Sequence, residues 1–186
     1  MMRARWLLVV LVLVVLLAAG GAVVVTSKLS ESQKTVRREL RAAAFEAGLD
    51  PDFVDAIGYV EGPRWKLDAR STDPRDEARG GSFGPTQISE KTARAHGFTG
   101  SMEEFREDPA TAAAWTATIL LAAHRRRKLS TLADYVAAWN AGRDDADKNN
   151  DGELEELPAA HPTRAVYLPL AKRGLAYVQA NPLGVA

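Results

Sequence analysis

Apolar residues are distributed in two ways: one unbroken run near the start, then short stripes at helical spacing. The run is Trp6 to Val25, uncharged throughout and preceded by Arg3 and Arg5. About twenty residues rising ~1.5 Å each cross the hydrocarbon core of a bilayer. Residues 1–27 therefore read as a transmembrane anchor. A signal peptide is the competing reading, with Ala18-Ala19-Gly20-Gly21-Ala22 as small residues for cleavage. The run is longer than a usual signal core, which favours retention. Its flanks pull the topology in opposite directions: Arg3 and Arg5 before it, and Lys28, Lys34, Arg37, Arg38 and Arg41 after it.

The stripes that follow predict helices. Over Ser30 to Ala47, Val36, Leu40, Ala43 and Ala44 share one face, Ser30 and Gln33 form a capping box, and Gly48 supplies the stop. This 28–48 segment is a connecting helix or the first helix of a domain over 49–186. Asp50 caps the next helix, Pro51 fits its first turn, and Phe53, Val54, Ile57 and Val60 form its stripe. Gly62-Pro63 ends it, so Glu61 is its last residue. Ser89 opens a short helix running through His96 to Gly97, and Asp108-Pro109 opens a long one with Ala112, Trp115, Ile119, Ala122 and Ala123 on one side. That helix closes on Arg125-Arg126-Arg127-Lys128, where cations suit the helix dipole and an anionic polymer or lipid headgroup could bind. Ser130 or Thr131 starts a helix carrying Tyr135, Val136 and Trp139, stopped by Gly142. Ala165 to Ala180 is the last, with Pro169 in its first turn. No alternating pattern of any length predicts a strand, and the charged middle of the 63–83 loop, Ser71 to Arg79, reads as a solvated turn over a groove. The fold class is mostly α.

Composition narrows the chemistry. The 186 residues carry 24 acids and 24 Lys+Arg, so nothing points to bulk nucleic-acid binding. The absence of cysteine excludes disulfides, thiolate zinc sites and a cysteine nucleophile. His96, His124 and His161 are scattered without metal-ligand spacing and read as surface or helix-end residues.

Three short motifs remain: Tyr59-Val60-Glu61-Gly62 at a helix end, Gly84-Pro85-Thr86-Gln87 in a glycine-rich turn, and Trp139-Asn140-Ala141-Gly142. A fourth, Thr163-Arg164-Ala165-Val166-Tyr167-Leu168-Pro169, is a looser echo. In this order and spacing they resemble the lytic transglycosylase domain, which is related to goose-type lysozyme, across about residues 40 to 180. The resemblance implies a lysozyme-like helical domain, here behind an N-terminal transmembrane helix. It also implies a peptidoglycan-cleaving enzyme held in a bacterial envelope or a virion membrane, with glycan strands and a bilayer (through residues 6–25) as partners. Glu61 would be the catalytic acid. Gln87 and Asn140 would orient substrate and glutamate, Tyr167 would contribute a hydroxyl, and Trp139, Trp65 and Phe83 would stack on sugar faces. In this chemistry the sugar's 2-acetamido group attacks and the 6-hydroxyl then closes a 1,6-anhydro ring, so one acid suffices and no cofactor is required. A Glu among Ile57, Tyr59, Phe83 and tryptophan surfaces is expected to hold its proton through desolvation. The chain departs from the family at Gly62, usually Ser, at Pro85-Thr86, usually Leu-Met, and at Trp139, usually Tyr. These departures alter the glycan-binding groove but leave the acid, the amide and the asparagine.

Two alternatives stay open. A goose-lysozyme-type hydrolase needs a second carboxylate, for which Asp73, Asp76 and Glu77 are the nearby candidates. A non-catalytic, wall-binding membrane protein fits the motif departures. Separately, Asp147, Asn149 and Asp151 occupy positions 1, 3 and 5 of a calcium-loop pattern over 147–158, with Gly152 at 6, Glu153 at 7 through its carbonyl and Glu155 at 9. Pro158 stands at position 12 instead of Glu. The loop reads as a structural calcium site or as an exposed acidic turn.

Overall fold

The computed structural model describes residues 28–71, 74–78, 80–141, 154 and 157–183. The expected membrane anchor over 1–27 and the calcium ligands Asp147, Asn149, Asp151, Glu153 and Glu155 lie outside the described residues. Among those described, no helix is long and apolar enough to cross a membrane, and no cluster of metal-ligating side chains occurs.

The chain is mostly helical. Helices α1 (Glu31–Glu46), α2 (Pro51–Glu61), α3 (Pro74–Glu77), α4 (Glu90–Ala95), α5 (Glu104–Glu107), α6 (Pro109–Arg126), α7 (Leu132–Val136) and α8 (Leu168–Ala180) follow in order. Two π-helical turns, Ala137–Ala141 and Thr163–Tyr167, continue α7 and precede α8. The capping chemistry sets the helix starts. Ser30 and Gln33 form the reciprocal box at α1, the Asp50 carboxylate accepts from Asp52 and Phe53 backbone N–H at α2, and Ser89, Asp108 and Thr131 cap α4, α6 and α7. The α2 helix ends at Glu61, with Gly62 in extended backbone.

The structure differs from the sequence expectations where elements are too short to show a period. Two-residue strands β1 (Ser82–Phe83) and β2 (Ile88–Ser89) pair antiparallel, with Phe83 opposite Ile88. The charged 71–79 stretch contains the single turn α3, and α8 starts three residues later than expected because a π turn occupies Thr163–Tyr167.

Three apolar clusters form the interior. The largest lies among α1, α2, α6 and α8, around Leu40, Ile57, Trp65, Leu120 and Tyr135. A second joins Ala56, Val136, Tyr167, Leu168 and Ala171 with Leu154 and Leu157. The third gathers Phe83, Ile88, Phe98 and Phe105 beneath the hairpin. Partly buried Trp139 packs against all three. Where the clusters meet, a cavity opens.

The first cluster also encloses charge. Arg37 of α1 grips the Asp55 carboxylate of α2 through Nε (3.1 and 3.2 Å) and Nη2 (2.8 Å), with both side chains essentially inaccessible. The Arg37 guanidinium lies 4.5 Å over the Trp65 ring, and Trp65 Nε1 donates to the Asp55 carbonyl at 2.9 Å. These contacts fix α2 against the helix before it.

Candidate active site

The cavity has a volume of about 560 Å³ and is lined by side chains from several elements. Glu61 enters from the end of α2, and Gln87 from the turn between the strands. Trp139 and Asn140 come from the first π turn. Two helical stripes add to the walls: Thr92 of α4 with its flanking caps Ser89 and His96, and Ile119, Ala123 and Arg126 along α6. Among the described residues Glu61 is the single carboxylate lining the cavity.

Glu61 has a defined partner. The Tyr167 hydroxyl donates to Glu61 Oε1 at 2.7 Å, a charge-assisted geometry bridging 106 positions of sequence. Burial holds the Tyr167 phenol well above its ordinary pKa, and the nearby Glu61 charge pushes the same way. Tyr167 is thus a proton-bearing donor throughout the physiological range. Tyr167 is 9% exposed and is not among the residues that line the cavity; its hydroxyl meets the acid. Tyr167 was expected among the substrate-binding residues, as a hydroxyl near the acid, and the structure places that hydroxyl on Glu61.

Gln87 is positioned by its own backbone. Its φ of +54° lies in the left-handed region, unusual for a residue with a side chain. There both its backbone N–H (3.1 Å) and its side-chain Nε2 (2.8 Å) donate to the Gly84 carbonyl. Gly84 has φ +77°, and a Cβ on it would stand 2.2 Å from the Phe105 carbonyl oxygen, so only glycine fits. The turn is tied to α6 by hydroxyls: Thr86 Oγ1 lies 2.7 Å from Thr116 Oγ1, which itself donates to the Ala112 carbonyl. Pro85 and Thr86 are buried and form no groove wall, contrary to expectation. The glycine at 62 has a related cause. A Cβ there would lie 2.6 Å from the Pro85 carbonyl oxygen and 2.8 Å from its Cα. The acid-bearing helix end and the amide-bearing turn touch backbone to backbone.

Asn140 reaches the cavity on the first π turn, and Thr163 Oγ1 on the second donates to its Oδ1 at 2.7 Å. Both turns insert an extra residue into a helical path, a distortion that often accompanies functional sites. Trp139 both lines the cavity and packs on the core.

Two expected groove residues are elsewhere. Trp65 is wholly inaccessible, wedged among Tyr59, Tyr177 and Arg37, because its indole N–H is satisfied internally at the Asp55 carbonyl. Phe83 is 6% exposed and points into the third cluster, with the Arg70 guanidinium 5.3 Å from its ring. Conversely, Ser71, Ser82, Thr92, His96 and Arg126 line the cavity without having been singled out as its residues. The spacing of Ser89, Thr92 and His96 on one helix face was the available signal for part of this wall. Of the hydrolase carboxylates, Glu77 is exposed and off the cavity wall, while Asp73 and the Asp76 side chain lie outside the described residues. No family model, curated protein or solved structure matches the chain.

Proposed function

We propose that the chain is a membrane-anchored lytic transglycosylase with a lysozyme-like helical domain, cleaving the MurNAc–GlcNAc β-1,4 bond of peptidoglycan to leave 1,6-anhydro-MurNAc ends. The observation that carries this reading is Glu61, the one carboxylate on the cavity wall among the described residues, which accepts from the buried Tyr167 hydroxyl and is accompanied by Gln87 and Asn140.

Glycosidic cleavage needs a proton delivered to the departing oxygen. Glu61 is the group assigned to carry that proton. With no second described carboxylate on the cavity wall, an attacking group supplied by the substrate itself accounts for the chemistry. The 2-acetamido oxygen bonds to the anomeric carbon as the glycosidic bond breaks and Glu61 protonates the leaving oxygen. The 6-hydroxyl then displaces the acetamido group as Glu61 takes back a proton. Trp139 offers the aromatic face for a sugar ring. An anchor over 6–25 would keep cleavage local to the membrane that holds it. Calcium at 147–158 would brace the segment between Asn140 and Tyr167 and supply no chemistry. Its oxygen donors suit the ion, and Leu154 and Leu157 are buried in the second cluster.

The deciding experiment is mass spectrometry of muropeptides released from purified peptidoglycan by the full chain in detergent. Anhydro ends, lost in a folded Glu61→Gln variant, are the expected result. Reducing ends, one water heavier, would replace the reading with a hydrolase. Release undiminished in Glu61→Gln would remove the proposed acid.

A further inference from the structure

The second π turn carries two buried hydroxyls one turn apart, and each holds a different polar group of the cavity. Tyr167 donates to Glu61, and Thr163 donates to Asn140. The Thr163 side chain is 1% exposed, and among the described residues its hydroxyl has one acceptor, Asn140 Oδ1. A buried hydroxyl gives its proton to an available acceptor, since leaving it unspent is costly. The bond therefore sets the sense of the Asn140 amide: the carbonyl end is used inside the protein, and Nδ2 is the end left for the cavity.

Gln87 is set the other way. Its Nε2 donates to the Gly84 carbonyl, which can only accept, so Oε1 is the end left over. The cavity thus presents one amide as donor and one as acceptor. We propose that Thr163 is a positioning residue which locks this polarity, and that the pair is built to meet a secondary amide on the substrate, carbonyl toward Asn140 and N–H toward Gln87. The substrate part of this inference rests on the glycan-cleaving reading, because an N-acetylated sugar carries such an amide. The positioning of Asn140 does not.

The test uses the full chain in detergent with Thr163→Val, Thr163→Ser and Asn140→Asp. Thr163→Val keeps the shape and removes the donor. Its turnover on purified peptidoglycan is expected to fall ~10-fold or more with KM little changed, while Thr163→Ser restores it. Asn140→Asp still accepts from Thr163 but has no donor to offer, and it should fall at least as far. Wild-type turnover in Thr163→Val, or in Asn140→Asp, overturns the assignment. A measurement independent of activity is the nitrogen-15 relaxation of the Asn140 side-chain amide. It should report a rigid group in the wild type and a mobile one in Thr163→Val; equal mobility in both overturns the positioning role. An inactive wild type with this rigidity difference would overturn the glycan reading and the amide-recognition half while upholding the positioning half. Should Thr163→Val melt early, Asn140→Asp and the wild-type relaxation decide.

Discussion

Asp55 and Glu61 stand on the same helix, and their surroundings differ in kind. Asp55 is sealed in the largest cluster against Arg37, with Arg41 Nη1 3.5 Å away. Burial pushes its carboxyl above the usual range, and the two guanidinium groups pull it back. Glu61 has a phenol for its partner and a cavity in front of it. A guanidinium brings full charge and keeps its protons at any ordinary pH, so its carboxylate becomes part of the frame. A phenol brings no positive charge of its own to the carboxyl oxygen it meets. The helix is anchored through one acid so that the other can be offered from its end.

Breaking the frame should have the largest effect. Arg37→Met removes the two-pronged partner of a buried carboxylate and is expected to cost ~3–5 kcal/mol, read by urea unfolding. A loss under ~1 kcal/mol would mean the pair is not structural. On the other side of the comparison, Tyr167→Phe removes one hydrogen bond to the acid, worth ~1.5–3 kcal/mol, or about a 10- to 100-fold loss of turnover. Wild-type muropeptide release by that variant would sink the role given to the phenol. Gly62→Ser tests the join between helix end and turn. Its Cβ meets Pro85 backbone, so a drop of ~1–3 kcal/mol in stability is expected, visible as a lower melting temperature. The smallest effect is alkaline. Burial raises the pKa of both Tyr135 and Tyr167 above 10.0. The unfolded phenols lose their protons first, so this stability is fully present below about pH 10 and is lost as pH rises through the raised folded values. Melting curves above pH 10 should show the decline, shallower in Tyr135→Phe; an unchanged slope would remove Tyr135 from the account.

What was legible in the sequence had a local cause. The Ser30–Gln33 box, Asp50, Ser89 and Asp108 announce helix starts because capping needs only three or four consecutive residues. Glu61, Gln87 and Asn140 were named from short motifs, and the fold brings all three to one cavity. Illegible features depended on contacts between distant segments. Trp65 and Phe83 are rings that suit a sugar face or a core equally, and burial decides between them only after the chain has folded. The π turns leave no periodic trace. Thr163 becomes meaningful once Asn140, 23 positions earlier, lies beside it.

The contact between Gly62 and the Pro85 backbone has a consequence for descent. With the turn seated where it is, position 62 gains a side chain without strain only where the chain at 85 stands farther out. The two sites are therefore expected to mutate as a pair. Relatives with glycine after the acid should share this close-set turn, and relatives with serine there should hold the turn farther out. Intermediates between the two would be scarce.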